Sequence, residues 1–332
     1  MTTRQIILAS RPKGLPTTDN FKLEETQLPE LQPGQVLLTG SYYSVDPYMR
    51  GRMNDVKSYT PPFETGKPLS GGVVATVTAS QSDLFKPGDM VLGNLPWQQQ
   101  MIAAEKGLTK IDTGIAPASY YLGILGITGL TAYFGLMHIG KPKPGETVVV
   151  SGAAGAVGIV VGQIAKIQGC RVVGIAGSDE KTALLKNEFG FDEVINYKTT
   201  ANMKQAIAAA CPGGVDVYFD NVGGPISDAV IANINFHARI PLCGQISLYN
   251  STEPPVGPRL QPMLLTRSVL MQGFIIFNFA SQYPEGITQL AQWLKEGRIK
   301  SPETIIDGFE NLPTALLGLF KGDNTGKMIV KA

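Results

Sequence analysis

The sequence predicts an α/β protein in which an irregular, barrel-like β domain is followed by a domain with a doubly wound parallel sheet. Two observations lead to this prediction. The first third of the chain is rich in proline and glycine and contains short alternating or β-branched runs. Beyond residue 120, continuous apolar runs alternate with helical ones, which is the pattern of a parallel sheet with helices on both faces.

The β domain is predicted from strand-like runs that turn sequences separate. Gln32-Pro33-Gly34 and Lys86-Pro87-Gly88-Asp89 are typical turns. The runs around them predict strands over Gln35–Thr39, Gly72–Thr78 and Met90–Leu92. The C-terminal segment Phe309–Ala332 finishes with a strand-like run, Met328–Lys331, and we expect it to return to this first domain.

The second domain is predicted from buried strands with helices between them. Apolar residues on one broad face, from Val157 to Ile167, predict a helix after the first strand. Two more helical runs cover Thr182–Phe189 and Ala201–Ala210. The expected strands are Thr147–Ser151, Cys170–Ala176, Val194–Asn196, Val215–Phe219, Ile240–Leu242 and Phe274–Phe277.

The segment Thr113–Gly140 carries no charged residue and is long enough to span a bilayer. It also contains six glycines, with Thr128, Thr131 and His138 among them. These residues favour a buried helix between the domains over a membrane span.

Composition limits the partners and the compartment. The net charge is +1, so no overall field draws the protein to nucleic acid or to an anionic membrane. The three cysteines form no CxxC pair, and Met1–Ser10 does not read as a secretory signal. We therefore expect a reduced, cytoplasmic protein whose partners are recognised locally.

A glycine-rich turn lies between the first predicted strand of the second domain and the helix that follows. This is where a dinucleotide fingerprint must lie, although Ala153 replaces its first glycine. Gly155 would let the backbone approach a pyrophosphate, and Gly158 would allow close packing of helix on strand. The helix N-terminus would then face the phosphate charge. The expected contacts are Gly152, Ala153, Gly155, Ala156, Val157 and Gly158.

The end of the second strand bears on the choice between NADP and NAD. An NAD site places a carboxylate there to bind the ribose hydroxyls, and that carboxylate would repel a 2′-phosphate. Gly177 and Ser178 followed by Lys181 suit the phosphate of NADP. Asp179 or Glu180 could instead be the NAD acid, or the two could begin the next helix, where carboxylates favour the dipole. The residues favour NADP.

Missing residues narrow the chemistry. The only histidines are His138 and His237, and the cysteines are scattered, so no zinc ligand cluster is expected. None of the tyrosines has a lysine four residues later, the pair that short-chain reductases use to protonate a carbonyl. Reduction of a polarised C=C bond suits such a site, because hydride goes to the β-carbon and a hydrogen bond stabilises the enolate oxygen.

Eight motifs are spread along the chain. They are Ser44-Val-Asp-Pro-Tyr-Met-Arg50, Gly126-Ile-Thr-Gly-Leu-Thr-Ala-Tyr133, Ala153-Ala-Gly-Ala-Val-Gly158, Ala176-Gly-Ser-Asp-Glu-Lys181, Asn196-Tyr-Lys198, Phe219-Asp-Asn-Val-Gly-Gly224, Cys243-Gly-Gln-Ile-Ser-Leu-Tyr249 and Gly322-Asp-Asn-Thr-Gly-Lys327. Through them, nearly the whole chain resembles the zinc-independent medium-chain dehydrogenases/reductases, in the branch of prostaglandin reductase, plant alkenal double-bond reductases and bacterial curcumin reductase.

The resemblance implies a GroES-like β-barrel catalytic domain, residues 1–121 completed by 309–332, and a Rossmann NADP-binding domain, residues 122–308. It assigns Lys181 and Tyr197 to the 2′-phosphate of NADP(H). The other contacts that it implies, on the ribose, the nicotinamide and the substrate side, are Pro47, Thr128, Asn221, Val222, Cys243, Gly244, Ile246, Ser247, Tyr249, Phe274, Ile275, Ile276 and Asn324.

Tyrosines are the expected polar groups at the substrate. Some relatives carry a tyrosine shortly before the strand that matches Met271–Phe277, where this chain has Thr266. Tyr249 and Tyr59 are therefore the expected catalytic groups, with Tyr48 facing the substrate beside them.

The function implied is an NADPH-dependent reductase of small enones and enals, assembled as a homodimer. A quinone-type reductase and an NADP-binding sensor or structural protein with little turnover remain the alternatives.

Overall fold

The computed structural model describes residues 1–332, and the chain forms two compact units. The first unit comprises Met1–Leu122, Glu303–Asn324 and Met328–Ala332. The second comprises Gly123–Pro302 and Thr325–Lys327. The domain limits expected from the sequence, and the catalytic and NADP-binding roles assigned to the two domains, stay a prediction.

Fifteen strands run along the chain. In order they are β1 Thr2–Leu8, β2 Phe21–Gln27, β3 Gln35–Ser44, β4 Ser70–Ser80, β5 Met90–Pro96, β6 Gln100–Ala104, β7 Thr109–Lys110, β8 Thr147–Ser151, β9 Arg171–Ala176, β10 Glu193–Asn196, β11 Val215–Phe219, β12 Ile234–Leu242, β13 Leu270–Gly273, β14 Glu303–Asp307 and β15 Lys327–Lys331.

Nine α-helices alternate with these strands. They are α1 Met49–Arg52, α2 Ile127–Phe134, α3 Gly158–Ile167, α4 Asp179–Phe189, α5 Met203–Ala210, α6 Gly224–Ile231, α7 Gln261–Thr266, α8 Tyr283–Lys295 and α9 Leu312–Lys321. Short 3₁₀ helices cover Thr18–Asn20, Ala118–Leu122, Ile246–Leu248, Ile276–Gln282 and Phe309–Asn311, and a π-helix covers Gly135–Gly140.

The first unit is built on a seven-stranded sheet with the order β14-β15-β3-β4-β5-β7, in which β6 also pairs with β3. β1 and β2 form a separate antiparallel pair. The C-terminal strand β15 pairs with β3, so the last segment of the chain completes this sheet. The core contains large, fully buried side chains such as Trp97, Tyr43 and Phe309, and the rings of Tyr43 and Phe309 meet edge to face.

The second unit contains a six-stranded parallel sheet with the order β10-β9-β8-β11-β12-β13. The chain moves outward from β8 through β9 to β10 and then returns to β11 on the other side of β8. This reversal is the topological switch point at which α/β sheets bind their ligands. The fold class predicted from the sequence is confirmed, and β8 and β11 begin and end at the predicted residues.

One predicted strand is wrong. The run Phe274–Phe277 was expected to be the last strand of the sheet, but the strand is Leu270–Gly273. Phe274 is buried instead, with its ring centroid 6.3 Å from that of Phe219 and 6.2 Å from that of Phe279. The apolar run is therefore a core contact after the strand rather than the strand itself.

The uncharged segment Thr113–Gly140 is not one continuous helix. It forms three short helical pieces, and glycine turns separate the first two. The N–H groups of Gly126 and Gly129 both donate to the carbonyl oxygen of Gly123, which closes the turn in front of α2. No helix in the chain combines the length and the apolar character that a membrane span requires.

Gly129 is needed in α2 for steric reasons, and its replacement tests the packing. A Cβ there would lie 1.8 Å from the carbonyl oxygen of Ile124, which is fixed backbone. We expect Gly129→Ala to destabilise the protein by about 1–3 kcal/mol, which lowers the Tm by about 2–12 °C.

The matched control is Gly51→Ala in α1, where a Cβ would meet no atom within 4 Å. This change should leave the Tm unchanged or raise it slightly. Equal melting temperatures for the two variants would contradict the packing described for Gly129.

Candidate functional site

The glycine-rich turn after β8 has the conformation that a dinucleotide site needs. The left-handed φ of +59° falls at Gly152, one residue before Ala153, so an alanine is tolerated where the fingerprint has its first glycine. A Cβ on Gly158 would lie 2.3 Å from the carbonyl oxygen of Gly152. Only glycine allows α3 to begin this close to the turn.

The exposed side of this turn carries the atoms that a phosphate would meet. Ala153 and Gly158 are buried, whereas Gly155, Ala156 and Val157 are half-buried. They directly precede α3, and the dipole at the N-terminus of that helix favours an anion. The turn therefore fits the pyrophosphate of a dinucleotide.

Four residues expected at a 2′-phosphate come together at the carboxyl end of β9. Ser178 caps α4, and its hydroxyl oxygen accepts a hydrogen bond of 3.3 Å from the N–H of Lys181. A Cβ on Gly177 would lie 2.9 Å from the hydroxyl oxygen of Tyr197, so that ring lies against the glycine. A small, polar tip thus stands beside a lysine and a half-exposed phenol.

The two acidic residues at this tip belong to the helix. Asp179 and Glu180 are exposed in the first turn of α4, where negative charge is favourable. The Asp179 carboxylate accepts a hydrogen bond of 2.7 Å from the side-chain amide of Asn196. Asp179 is therefore held at the helix start by a partner on β10.

The loops after β8, β11 and β12 are joined by hydrogen bonds. The Asn221 side chain donates to the carbonyl oxygen of Ser151 at 2.8 Å, and its backbone N–H donates to the Ser151 hydroxyl at 3.0 Å. The carbonyl oxygen of Val222 accepts from the hydroxyl of Ser247 at 2.6 Å and from its N–H at 3.1 Å. Ile246 adds a bond of 3.4 Å to the carbonyl oxygen of Asn221. Predicted contact residues from three loops therefore form one edge.

Asp220 also lies on this edge, and it was predicted only as part of the Phe219–Gly224 motif, without a role of its own. Its side chain is fully buried and accepts five hydrogen bonds. The donors are the hydroxyls of Ser151 at 3.2 Å, Tyr218 at 2.9 Å and Ser227 at 2.8 Å, and the N–H groups of Val222 at 3.0 Å and Gly223 at 2.9 Å. Ser151 lies 69 residues away in the chain, so no local pattern indicates this network.

Tyr249 and Cys243 lie on the loop after β12. The Tyr249 hydroxyl accepts a hydrogen bond of 3.2 Å from the N–H of Gln245, and burial raises the pKa of this phenol. Burial, together with the charge of Asp220, raises the pKa of the Cys243 thiol to about 12. Cys243 is therefore a protonated, unreactive thiol, whereas Tyr249 keeps its proton and can donate it to a hydrogen bond.

Several predicted contact residues have side chains that are engaged inside the protein. The Thr128 hydroxyl donates to the carbonyl oxygen of Gly123 at 3.0 Å. Phe274 and Ile276 are buried, whereas Ile275 and Gly244 are half-buried. Thr128, Phe274 and Ile276 would therefore meet a cofactor mainly through their backbone atoms.

Thr266 ends α7. Its hydroxyl donates to the carbonyl oxygen of Pro262 at 2.8 Å, within its own helix, and the side chain is exposed.

The remaining predicted residues are Pro47, Tyr48, Tyr59 and Asn324, and all of them belong to the first unit. Pro47 and Tyr48 stand at the start of α1, and burial raises the pKa of the Tyr48 phenol. The Tyr59 side chain is more than half exposed. Arg52 supports the segment that carries it, because its guanidinium lies 3.9 Å from the centre of the Phe63 ring and donates to the Pro61 carbonyl oxygen at 3.0 Å.

The sulfur and imidazole groups do not fit a zinc site. No three of the histidine, cysteine and carboxylate side chains are placed to hold a metal ion together. His138 lies 3.5 Å from Glu285, edge-on to the ring of Phe134. The Cys170 thiol donates to the carbonyl oxygen of Lys143.

Two family models match the chain. Residues 4–111 match the N-terminal domain of oxidoreductase, and residues 156–294 match a family described as zinc-binding dehydrogenase. The second match concerns the unit with the parallel sheet, whose side chains offer no zinc ligand set.

Curated relatives cover nearly the whole chain. A Bacillus subtilis protein named as an NADP-dependent oxidoreductase, YfmJ, is 59% identical over 99% of this chain and 97% of its own. The NADPH-dependent curcumin reductase of Escherichia coli is 44% identical over 99% and 96%. Prostaglandin reductase 1 of Mus musculus is 45% identical over 96% of both chains.

A solved structure gives the same result. The crystal structure of CurA from Vibrio vulnificus in complex with NADPH has a TM-score of 0.95 and 45% identity, and the match covers 99% of both chains. Family models, relatives and this structure agree with the motifs read from the sequence. The chain belongs to the medium-chain dehydrogenases/reductases, in the branch that contains curcumin reductase, prostaglandin reductase and 2-alkenal reductase.

Proposed function

We propose that this protein uses NADPH to reduce the C=C bond of α,β-unsaturated ketones and aldehydes, without a metal ion. The observation that carries the proposal is the tip after β9, where Gly177 lies against Tyr197, Ser178 accepts a hydrogen bond from the N–H of Lys181 and Asp179 is bonded to Asn196. This tip suits a 2′-phosphate. The named activities of the relatives support the enone and enal substrates.

The cofactor would lie along the carboxyl ends of the parallel strands. The turn Gly152–Gly158 would hold the pyrophosphate and the β9 tip the adenosine phosphate. The loops at Asn221–Val222 and Cys243–Tyr249 would line the ribose and nicotinamide, with Thr128 and Phe274–Ile276 beside them. Bound NADPH supplies the hydride.

The chain's own contribution to the chemistry is charge stabilisation. Hydride addition at the β-carbon places negative charge on the carbonyl oxygen, and one oriented donor stabilises that charge. We propose the Tyr249 hydroxyl as the donor, with Tyr59 and Tyr48 facing the substrate. Saturated ketones and isolated alkenes lack the conjugated acceptor and should not react.

We also propose a homodimer formed through the edge of the parallel sheet. β13 is the last strand and pairs only with β12, so its other edge is open within one chain. Leu270 on this strand is 48% exposed. Two-fold pairing would cover both open edges at once.

A reducing compartment, the cytoplasm, fits the thiols. Cys170, Cys211 and Cys243 are all free. Burial raises the pKa of Cys170 and of Cys211 to about 11, so both stay protonated at neutral pH.

NADPH should be preferred over NADH, and Lys181→Ala should remove much of that preference. A charge-assisted contact is worth about 1.5–3 kcal/mol, roughly tenfold to a hundredfold in affinity. Steady-state kinetics should therefore show a higher Michaelis constant for NADPH and a nearly unchanged one for NADH.

Lys186→Ala is the matched control, because Lys186 lies on the same helix and its ammonium is 3.7 Å from Glu193. It should leave both constants unchanged. Equal use of the two cofactors by the unmutated protein would contradict the assignment of the 2′-phosphate site.

The unmutated protein should convert an enone to the saturated ketone, and removing the hydroxyl donor should slow that reaction. Loss of one such donor typically costs about 10²–10³ in turnover. We expect this loss for Tyr249→Phe, the variant of the proposed donor. Tyr59→Phe should lose as much turnover only if Tyr59 is the donor instead. The measurement is turnover of one enone at saturating NADPH, with product analysis.

Tyr121→Phe serves as the control, because that hydroxyl donates to the carbonyl oxygen of Asp112. Near-normal rates for both active-site variants would show that neither hydroxyl is the donor. A saturated alcohol as the product from the ketone would disprove C=C reduction. A quinone reductase would oxidise NADPH with a quinone and not with the enone, and a sensor would do neither.

The dimer predicts a mass of about twice 35.5 kDa in light scattering at micromolar concentration. Leu270→Asp should give the monomer mass, because two like charges would face each other across the symmetry axis. Leu84→Asp, at an exposed leucine of the first unit, should stay dimeric. A monomeric unmutated protein would rule out the pairing.

A further inference from the structure

Asp220 lies at the switch point of the parallel sheet and holds together the loops that diverge there. It follows β11 directly, and its side chain is fully buried. Its carboxylate accepts from Ser151 at the end of β8 and from two N–H groups of the next turn. It therefore connects the phosphate turn with the loop after β11.

The backbone of Asp220 extends the connection to the loop after β12. Its carbonyl oxygen accepts from the N–H of Cys243 at 2.9 Å and of Gly244 at 3.1 Å. Its own N–H donates to the carbonyl oxygen of Pro241 at 3.0 Å. One residue thus bonds to all three loops of the predicted site that meet at this edge.

The two carboxylate oxygens have different partners. One accepts from Ser151, Tyr218, Val222 and Gly223, whereas the other accepts from Ser227 on α6. A buried carboxylate is tolerated only when hydrogen bonds replace its water. Removing it would take this acceptor from all five donors, and the two backbone donors belong to the Val222–Gly223 turn.

We infer that Asp220 is a positioning residue that sets the Asn221–Gly223 turn and the Cys243–Gly244 segment in the geometry that holds the nicotinamide half of NADPH. The inference rests on the proposed function. Asp220 touches neither cofactor nor substrate in this role; it acts through the two segments to which it is bonded.

The strand order explains why one half of the cofactor depends on Asp220 more than the other. The residues proposed for the 2′-phosphate follow β9 and β10, on one side of β8. Asp220 and the segments that it holds follow β11 and β12, on the other side. Loss of the carboxylate should therefore disturb the nicotinamide side and spare the adenosine side.

Calorimetric titration with two probes separates the two halves. NADPH reports on the whole site, and adenosine 2′,5′-bisphosphate, a fragment that carries the 2′-phosphate but neither the second ribose nor the nicotinamide, reports on the adenosine side. For Asp220→Ala we expect the NADPH dissociation constant to rise at least tenfold while that of the fragment stays within twofold.

Asp216→Ala is a matched control on the same strand. The Asp216 carboxylate bridges the same neighbouring strands at the opposite end of β11, where it accepts from the Thr147 N–H at 2.8 Å and from Asn235 at 2.7 Å. Its loss should lower the Tm and leave the ratio of the two affinities unchanged. A similar change of ratio for both variants would mean that Asp220 acts only through stability, which would overturn the inference.

Asp220→Asn should rescue the affinity for NADPH to within about threefold of the unmutated protein. Its amide oxygen can accept from the donors on one side, and its amide nitrogen can donate to the Ser227 hydroxyl. Should Asp220→Ala fail to fold, Ser151→Ala removes the hydroxyl that Asp220 and the Asn221 N–H share. That variant should weaken NADPH about threefold and the fragment less.

The outcomes are distinct. Equal loss for NADPH and fragment, or no loss for either, overturns the role of Asp220. Failure of the unmutated protein to bind NADPH overturns the proposed function instead.

Discussion

A carboxylate that is taken out of water needs donors from the protein, and the Asp220 side chain receives five of them at the edge of the parallel sheet. Strand order reverses at this edge, so the chain after β8 and the chain after β11 lead toward opposite ends of the sheet. Nothing in a strand's own hydrogen bonding keeps diverging loops together. Asp220 keeps them together, because the donors to its buried carboxylate come from both loops and its backbone bonds to a third loop.

Close backbone contact is the second constraint on the same edge. α3 begins against the carbonyl oxygen of Gly152, and only a glycine at residue 158 leaves room for it. At the first residue of the π-helix, a Cβ on Gly135 would lie 2.5 Å from the Phe274 ring and 2.7 Å from the Phe219 ring. The two rings therefore pack directly against the backbone of the π-helix. These contacts leave no room for a side chain at either glycine.

The sequence predicted those features that depend on neighbours along the chain. β8 is buried at every residue, so its apolar run and the glycines after it were visible as a strand and a turn. The last strand was misplaced because Leu270–Gly273 is a largely exposed edge strand without a strong pattern, whereas the apolar residues after it fill the core. Asp220 was seen only as part of a motif, because its role depends on Ser151 and on strand order.

Tyr249, the proposed hydrogen-bond donor, shows how far residue type alone can be interpreted. A phenol suggests an acid, yet burial raises the pKa of Tyr249, which makes proton transfer from it harder. Stabilising an enolate oxygen does not need that transfer: the donor must be oriented and must keep its proton while charge develops. The N–H of Gln245 fixes the phenol oxygen from one side and leaves its O–H to donate on the other. Burial therefore makes Tyr249 a poorer acid and suits it to the hydrogen-bonding role proposed for it.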